Sequence, residues 1–478
     1  MEDCNMSIEK KDTSVHKAPY HKDYEVGVIG GGPGGYVAAI KAAQSGKKTC
    51  IIEKESIGGV CLNRGCIPTK TLLRSVESLR QVIKSSEFGV IDIDSSNAKM
   101  DMKIAQARKN KIVGRLVGGV KGLLEANGVT ILKGEAAFID KNTVGLGDRQ
   151  VTAENIIIAS GSVPKKLPIK VSDDAQILTS KEVLQLDEVP KSIAIIGGGV
   201  IGVEFAYLLA SLGTKVTIVE SSDRILPMVD EEITVQVTSA LKSMDIDIHT
   251  SSKVTEISGK KVMFEKDGQY RRMEAEKILV SVGRAPSTKG LNIERIGIAT
   301  ERGAIITDER LRTNIAGIFA IGDVNGRAML AHTASMEGII AVENICGKDI
   351  EMDYDKIPNG IYIQPEIAFV GLTEKQAKER YGEVKVGKFP LAANGKARVE
   401  GEERGFIKVI IEPRLNEIVG VHIYSIHATD MISEAVVAMK LEGTAEEVAM
   451  SVHLHPTVSE IMHEAFHDAV SKAIHFVG

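Results

Sequence analysis

The chain has 478 residues, more than one hydrophobic core usually organises, so its length predicts about three domains. Hydrophobic residues make up 43% and charged residues 26%, the balance of an ordinary soluble globular protein. The formal net charge of −5 excludes the strongly basic character that nucleic-acid binding usually requires. The 46 glycines, many of them at strand ends, point to nucleotide-binding loops.

The cysteines indicate the compartment. There are five, too few and too scattered for the disulfide framework of a secreted domain: Cys4, Cys50, Cys61, Cys66 and Cys346. A cytoplasmic protein is therefore expected, in which a close cysteine pair is more often catalytic than structural.

Two segments could suggest targeting or a membrane. Residues 1–23 are polar and lack the apolar centre of a signal peptide, so they are predicted to be a flexible tail. The most apolar run, 193–212, contains Glu204 and three consecutive glycines. It is predicted to be a buried strand followed by a helix, and no membrane span is expected.

The first chemical motif is a glycine-rich turn. A short apolar strand, 26–29, leads into Gly30, Gly32 and Gly35 in the spacing Gly-x-Gly-x-x-Gly. A small-residue helix over 36–45 and a strand over 49–52 follow, and the strand ends at Glu53, 23 residues after the first glycine. Such glycines let the backbone approach a pyrophosphate at a helix N-terminus, and the acid accepts hydrogen bonds from a ribose.

The same pattern occurs a second time. A strand over 193–196 precedes Gly197, Gly199 and Gly202, and a strand over 215–219 ends at Glu220. Each position lies 167 residues after its counterpart in the first copy. One glycine signature is weak evidence, but two complete copies predict two bound dinucleotides.

Glu220 discriminates between nicotinamide cofactors. A carboxylate at this position suits a free ribose 2′-hydroxyl and repels a 2′-phosphate, so NAD is predicted at the second site. Arg224 lies close by in sequence and argues in the opposite direction.

Cys61 and Cys66 stand five positions apart and are bracketed by glycines. In an ideal helix such residues are roughly 8 to 9 Å apart at Cα, whereas a disulfide needs less than about 7 Å. If they pair, the helix must be distorted or must begin between them, with Pro68 in its first turn. The alternative is two unrelated buried thiols.

The rest of the chain predicts the remaining architecture. Residues 71–127 are expected to be mainly helical, and 129–139 and 143–160 to be strands of the first domain. After 355 the pattern changes to strands followed by helices, typical of an α+β domain. These strands are predicted over 361–363, 367–370, 406–411 and 418–424.

With these motifs together, the sequence resembles the flavin-dependent disulfide reductases from about Tyr24 to the C-terminus, most closely the members that oxidise dihydrolipoyl groups. Five further segments carry the resemblance: Ile158 to Ser162, Val282 to Pro286, Ala320 to Val324, Met329 to His332, and His453 to Glu460. The resemblance implies an α/β fold with two Rossmann-like dinucleotide-binding domains and a C-terminal α+β dimerisation domain. The expected divisions are an FAD-binding domain (24–161), an NAD-binding domain (162–283), a central segment returning to FAD (284–354) and an interface domain (355–478).

The resemblance also implies the cofactor contacts. FAD would occupy the first glycine motif and NAD the second, and Asp323 would bind the ribityl chain of the flavin. Lys70 would lie beside the flavin with Glu204 as its ion-pair partner. The other expected cofactor-binding residues are Gly134, Ser160, Gly161, Gly283, Met329, Ala331 and His332, and no metal site is expected.

By the same resemblance, Cys66 would face the flavin and Cys61 would exchange with substrate. Thiol–disulfide exchange needs a thiolate, so a base must hold the proton. His455 is the candidate, oriented by Glu460. His453 is the competing histidine, and the register His-Pro-Thr-x-x-Glu selects His455.

The implied activity is oxidation of protein-bound dihydrolipoyl groups with reduction of NAD+ by a homodimer. Its partner would be a lipoylated acyltransferase or an H-protein-like carrier of a 2-oxoacid dehydrogenase or glycine-cleavage complex. Two alternatives stay open: a glutathione or mercuric reductase of the same family, and a non-catalytic flavin scaffold. Three departures from the family pattern affect local details: Ser287, Ala328 and the segment Tyr424 to His427.

Overall fold

The computed structural model describes residues 22–477, which form 25 β-strands and 13 α-helices. The strands, in chain order, are β1 (Tyr24–Ile29), β2 (Thr49–Glu53), β3 (Thr130–Lys133), β4 (Ala136–Asp140), β5 (Thr143–Leu146), β6 (Arg149–Ile158), β7 (Ser162–Pro164), β8 (Lys170–Val171), β9 (Ile177–Leu178), β10 (Ser192–Ile196), β11 (Lys215–Val219), β12 (Asp247–His249), β13 (Ser252–Ser258), β14 (Lys261–Lys266), β15 (Gln269–Glu274), β16 (Lys277–Val280), β17 (Arg284–Pro286), β18 (Thr300–Glu301), β19 (Ala304–Ile305), β20 (Ile318–Ala320), β21 (Asn359–Ile361), β22 (Glu366–Gly371), β23 (Lys385–Pro390), β24 (Phe406–Ile411) and β25 (Ile418–Ser425).

The helices are α1 (Pro33–Gln44), α2 (Gly59–Arg64), α3 (Cys66–Ile83), α4 (Met102–Ala126), α5 (Ser180–Val183), α6 (Val200–Ala210), α7 (Glu231–Lys242), α8 (Ala331–Ile345), α9 (Glu374–Tyr381), α10 (Gly395–Glu400), α11 (Ala428–Lys440), α12 (Ala445–Ala449) and α13 (Glu460–Val470). None of these helices has both the length and the apolarity needed to cross a membrane. The predicted tail, 1–23, lies outside the described residues except for its last two positions.

The first glycine motif lies at the end of a mostly parallel sheet. Its strand order is β3-β2-β1-β6-β5-β4, with β20 also paired to β6. Both faces are covered: Val28 and Ile51 pack in one core, whereas Ile29 and Ile52 pack in another. Because a parallel sheet is buried on both sides, its strands are continuous apolar runs, and this is why they could be found in the sequence.

The second motif lies at the end of another parallel sheet, ordered β12-β11-β10-β16-β9. Here β10, α6 and β11 repeat the arrangement of β1, α1 and β2, with parallel pairing of β10 to β11 in register from Ser192 to Ile196. A separate sheet, ordered β15-β14-β13-β8, covers one side. The two predicted dinucleotide-binding units are therefore both built as β-α-β turns.

The chain passes between the two parallel sheets through one antiparallel pair. Strand β7 pairs with β17, so residues near Ser162 and Arg284 lie side by side. After this crossing, β20 pairs in parallel with β6 and rejoins the first sheet. The domain limits given above stay predictions, but this pairing brings the segment around Asp323 back to the first nucleotide motif.

The C-terminal region is an antiparallel sheet, ordered β21-β22-β25-β24-β23, packed against α11, α12 and α13. Together with the two parallel sheets, this arrangement confirms the predicted fold class. One strand prediction was partly wrong, because β21 ends at Ile361 and does not reach 363. The physical reason is that the Tyr362 N–H donates to the Glu204 carboxylate, at 3.0 Å, outside the strand ladder.

The predicted helical stretch over 71–127 is divided in two. Between α3 and α4 the backbone takes positive φ at Gly89 and Asp92, which an α-helix excludes. Helix α4 then begins at Met102. Its N-cap is Asp101, whose carboxylate accepts a hydrogen bond from the Ile104 N–H at 3.0 Å.

Candidate active site

A cavity of about 1800 Å³ joins both glycine motifs to the cysteine pair. It is lined by most of the residues that the sequence singled out: Gly30, Gly32, Glu53, Cys61, Cys66, Lys70, Gly134, Ser160, Gly161, Gly197, Gly199, Glu204, Glu220, Gly283, Asp323, Met329, Ala331 and His332. Four predicted site residues are absent from the described lining of this cavity: Gly35, Gly202, His455 and Glu460.

Gly35 and Gly202 have a packing role behind the cavity. A Cβ on Gly35 would stand 1.8 Å from the Gly30 carbonyl oxygen, and one on Gly202 would stand 2.0 Å from that of Gly197. Each glycine therefore lets a helix pack directly onto the preceding turn.

The first glycine turn is held by its acid. Gly30 has φ +107°, a left-handed conformation that favours glycine. Glu53 accepts a hydrogen bond from the Gly31 N–H at 2.7 Å and another from the Glu55 N–H at 2.6 Å. Gly32, the N-cap of α1, has only the Gly59 Cα within 4.0 Å of where its Cβ would stand. The turn is therefore open toward the cavity, as close approach of a pyrophosphate requires.

The second turn repeats these bonds. Gly197 again has φ +107°, and Glu220 accepts from the N–H groups of Gly198 and Ser222, both at 2.6 Å. Burial raises the pKa of Glu220, but the hydrogen bonds from Ser222 and Gly198 outweigh it, so the pKa lies below its usual range. Gly199 faces open space. Both turns thus fit a dinucleotide, and the Glu220 carboxylate is anionic at neutral pH.

The helix is broken between the two cysteines. Helix α2 ends at Arg64 and α3 begins at Cys66, with Gly65 between them at φ −142° and ψ −112°. A Cβ on Gly65 would lie 2.9 Å from the Val60 carbonyl oxygen, so a larger residue is disfavoured there. Of the two arrangements that pairing of the cysteines would require, the structure has the second, in which a helix begins between them with Pro68 in its first turn.

The two thiols are unbonded and hydrogen-bond to each other, and Cys66 is exposed to the cavity. The hydrogen bond from Cys61 and, after it, the charge of Lys70 outweigh burial and lower the pKa of Cys66 to about 7. The same hydrogen bond and burial raise the pKa of Cys61. Cys66 is therefore the thiol of this pair that carries the thiolate.

Lys70 and Glu204 meet beside the cysteines. The Lys70 Nζ lies 2.8 Å from each carboxylate oxygen of Glu204, whose side chain is only 4% exposed. Tyr362, which sequence reasoning missed, completes this cluster. Its ring centroid lies 4.4 Å from the Lys70 Nζ and its N–H donates to Glu204. A lone tyrosine just after a short strand gives no signal in the sequence, because only the tertiary fold brings it to Lys70.

Asp323 is held by two residues at the crossing between the sheets. The Ser162 hydroxyl donates to its carboxylate, and the Arg284 Nε lies 3.8 Å from the same carboxylate oxygen. Arg284 also donates from Nε to the Ser162 hydroxyl and from Nη2 to the Ser162 carbonyl, both at 2.7 Å. The sequence placed Ser162 and Arg284 within motifs but assigned neither a role.

Two other lining residues have their polar groups fixed by contacts with backbone carbonyls. The Ser160 hydroxyl donates to the Ser287 carbonyl at 2.7 Å, and the His332 Nε2 lies 2.8 Å from the Pro358 carbonyl. Ser287 and Ala328, two of the departures from the family pattern, also line the cavity.

The predicted base, His455, contacts its predicted partner, Glu460, but neither residue lines the cavity that contains the cysteines. The His455 Nδ1 lies 2.8 Å from Glu460, whose other oxygen accepts from the Thr457 N–H at 2.9 Å. Burial raises the pKa of Glu460, but the bonds from Thr457 and His455 outweigh it and keep the acid ionised. His453 uses both ring nitrogens elsewhere, on Glu434 at 2.8 Å and on the Ser451 carbonyl at 3.0 Å. Among the described residues, the Nε2 of His455 is therefore available to another group, whereas both ring nitrogens of His453 are engaged.

Comparison with known proteins places this geometry in a family. Residues 24–338 match the family model described as pyridine nucleotide-disulphide oxidoreductase, and residues 357–466 match its dimerisation domain. The chain belongs to the pyridine nucleotide-disulphide oxidoreductase family. It is thus an oxidoreductase, and the two glycine turns fit the FAD and pyridine nucleotide on which this family depends.

Individual relatives agree with this assignment. The chain is 43% identical to a dihydrolipoyl dehydrogenase of Bacillus subtilis, over 95% of this chain and 99% of that protein. It is 40% identical to the mitochondrial dihydrolipoyl dehydrogenase of Pisum sativum, over 94% and 92%. Among solved structures, the Cu(II) complex of the HOCl-induced flavoprotein disulfide reductase RclA from Escherichia coli aligns with a TM-score of 0.83 and 28% identity, covering 93% of this chain and 98% of that one.

Proposed function

We propose that this protein is a dihydrolipoyl dehydrogenase, which oxidises protein-bound dihydrolipoyl groups and reduces NAD+. The observation that carries the proposal is the cysteine pair at the meeting point of two dinucleotide turns in a single cavity. Identity of 43% to a dihydrolipoyl dehydrogenase along 95% of the chain supports this choice within the family.

The proposed reaction starts from the oxidised pair, with a disulfide between Cys61 and Cys66. A substrate thiolate attacks the Cys61 sulfur, and Cys66 leaves as a thiolate. The second substrate thiolate then attacks the substrate sulfur that is bonded to Cys61. This attack closes the lipoyl ring and releases Cys61 as a thiol. Two electrons now reside on the cysteine pair. FAD held at the first glycine turn would supply the two-electron chemistry that links the reduced cysteine pair to NAD+ at the second turn.

Lys70 and Glu204 set the electrostatic environment of Cys66. The Lys70 ammonium favours the Cys66 thiolate and would stabilise negative charge on a neighbouring reduced flavin. Glu204 holds that ammonium in place from a buried position. The Tyr362 ring also contacts the ammonium, with its centroid 4.4 Å from the Lys70 Nζ, and adds a cation–π interaction.

His455 is the proposed base, which removes the proton from each substrate thiol. Glu460 fixes the ring through Nδ1 and stabilises the imidazolium that forms. Since His455 is not part of the cysteine cavity in its own chain, we assign it to the cysteine pair of a second copy. The match of 357–466 to a dimerisation domain supports a homodimer of this kind.

The substrate would be carried by another chain. A lipoylated acyltransferase of a 2-oxoacid dehydrogenase complex, or an H-protein-like carrier of a glycine-cleavage complex, offers the dithiol on a flexible arm. A cytoplasmic location is proposed, in line with the low cysteine content of the chain.

A steady-state assay tests the proposal and its alternatives. The FAD-loaded protein is expected to reduce NAD+ with dihydrolipoamide, and a Cys66→Ser variant with the same flavin content is the matched control. Faster turnover of glutathione disulfide with NADPH would assign the chain to a glutathione reductase instead. A folded yellow protein without turnover of either substrate would favour the flavin scaffold.

A further inference from the structure

Helix α13 carries a second chemical motif, which follows Glu460 in the sequence. Residues 463–467 read His-Glu-Ala-Phe-His, with two histidines four positions apart on one helix. Residues i and i+4 lie on the same helix face, and H-E-x-x-H on a helix is a spacing that binds zinc in metalloproteases. Neither His463 nor His467 has a place in the proposed oxidoreductase reaction.

The structure brings the two imidazoles to the separation that a shared cation requires. The His463 Nε2 and the His467 Nε2 lie 3.1 Å apart, and the rings meet edge to face. Two imidazole nitrogens bound to one tetrahedral zinc at about 2.0 to 2.1 Å are roughly 3.3 Å apart. The observed separation of the two Nε2 atoms is therefore close to the one that a shared zinc ion imposes. Both histidines are partly exposed, so a cation can reach them.

A third histidine stands beside this pair but is engaged elsewhere. The ring centroid of His453 lies 5.3 Å from that of His463. Its Nε2 contacts Glu434 and its Nδ1 contacts the Ser451 carbonyl. His463 and His467 are therefore the two imidazoles that remain to share a cation, which binds the neutral form of the ring.

The glutamate of the motif does not serve such a site as a base. Glu464 is buried, and one of its oxygens accepts from the N–H groups of Ile474 and His475, at 2.8 and 3.1 Å. Its other oxygen lies 2.7 Å from the His475 Nδ1. The carboxylate therefore fastens the C-terminal segment to α13, and the motif lacks the group that activates water in a metalloprotease.

We propose that His463 and His467 form a surface site for one Zn2+ or Cu2+ ion per chain, bound through the two Nε2 atoms and completed by water. Imidazole is a favoured ligand of both ions. No group of three metal-ligating side chains occurs within residues 22–477, so the site takes two protein ligands from this part of the chain. The site binds a cation and adds no hydrolytic activity.

Zinc titration by calorimetry tests the site. The FAD-loaded enzyme is used with the Cys61 and Cys66 thiols oxidised, so that the pair does not compete for the metal. Wild type is expected to bind one Zn2+ per chain, and His463→Gln and His467→Gln should each weaken binding roughly 100-fold by removing the second arm of the chelate. His427→Gln is the matched control, since His427 is an exposed histidine paired with Glu400 elsewhere in the C-terminal region.

Copper supplies an independent readout of the ligands. With one equivalent of Cu2+, the wild-type electron paramagnetic resonance spectrum should show splitting from two nitrogen ligands, and either glutamine variant should lose one of them. Circular dichroism and flavin content check that each variant is folded, and having two variants protects the test against the failure of one. Equal zinc affinity in wild type, both α13 variants and His427→Gln would overturn the proposal. The contact between the two histidines would then be an internal hydrogen bond alone.

Discussion

The Lys70 ammonium lies 2.8 Å from both carboxylate oxygens of Glu204, although 134 positions separate the two residues in the chain. Lys70 stands one helical turn after Cys66 on α3, and Glu204 lies on α6 behind the second glycine turn. This ion pair therefore joins α3, which carries Cys66, to α6, which follows the second glycine turn. Its two charges shift the pKa of Cys66 in opposite directions.

Neutralising each partner should move the Cys66 pKa in opposite senses. Lys70 lowers this pKa and Glu204 raises it. Lys70→Met is therefore expected to raise the Cys66 pKa, and Glu204→Gln to lower it. The measurement is the pH dependence of iodoacetamide alkylation at Cys66 in the reduced enzyme, read by mass spectrometry. Shifts of the same sign in both variants would show that local unfolding, not charge, is responsible.

The hydrogen bond from Cys61 is the largest cause of the low Cys66 pKa, which lies at about 7. Cys61→Ala removes the donor, so thiolate formation at Cys66 should shift to higher pH. Cys61→Ser keeps an O–H donor and should shift it less. In wild type, alkylation of Cys66 should rise as the pH passes through about 7. Identical profiles for the alanine and serine variants would mean that the hydrogen bond has no influence.

Glu220 should set the preference between NAD and NADP. Loss of its carboxylate in Glu220→Ala is expected to lower kcat/KM for NAD+ roughly 10- to 100-fold, the value of one or two charged hydrogen bonds. The value for NADP+ should fall less or rise, because the repulsion of a 2′-phosphate disappears. Glu220→Gln, which keeps an acceptor for the Gly198 N–H, should lie between wild type and alanine. Equal losses for both cofactors would limit Glu220 to a structural role.

A mixed dimer tests whether His455 serves the other subunit. One chain carries Cys61→Ser and the other His455→Gln, with different affinity tags so that the heterodimer can be purified. One site would then be intact and one would lack both groups, so about half of the wild-type turnover is expected. Near-zero turnover, with both parent homodimers also inactive, would place His455 and the cysteines of one chain in the same site.

Gly65 should be essential for the break between α2 and α3. The Cβ of Gly65→Ala meets the Val60 carbonyl oxygen at 2.9 Å, so the free energy of unfolding should fall by about 1 to 3 kcal/mol. Gly114→Ala is the matched control. Gly114 lies inside α4 with nothing near its Cβ position, and alanine should stabilise the protein by about 0.5 to 1 kcal/mol. Chemical denaturation measures both changes, and an unchanged stability for Gly65→Ala would contradict the steric argument.

The pattern of residues along the chain was enough to locate the two β-α-β turns, whereas a helix start between the cysteines was one of two arrangements that it left open. Strands such as Val26 to Ile29 are buried on both faces, so they stand out as apolar runs, and glycines such as Gly30 and Gly35 beside them leave no room for a Cβ. The acids Glu53 and Glu220 were found for the same reason, since each closes its own turn from a fixed distance along the chain. Features that depend on residues close together in the chain can therefore be predicted from the sequence.

The contacts between distant segments were decided by the tertiary structure alone. Tyr362 reaches Lys70, and Arg284 reaches Asp323 through Ser162, only after three sheets have packed together. The end of β21 at Ile361 has the same origin, because the carboxylate of Glu204 on helix α6 accepts a hydrogen bond from the Tyr362 N–H. Sequence alone fixed which residue types can do chemistry here, since spacing along a strand or helix is set by covalent geometry. Which of those residues meet depends on how whole sheets pack, and that packing is distributed over the entire core.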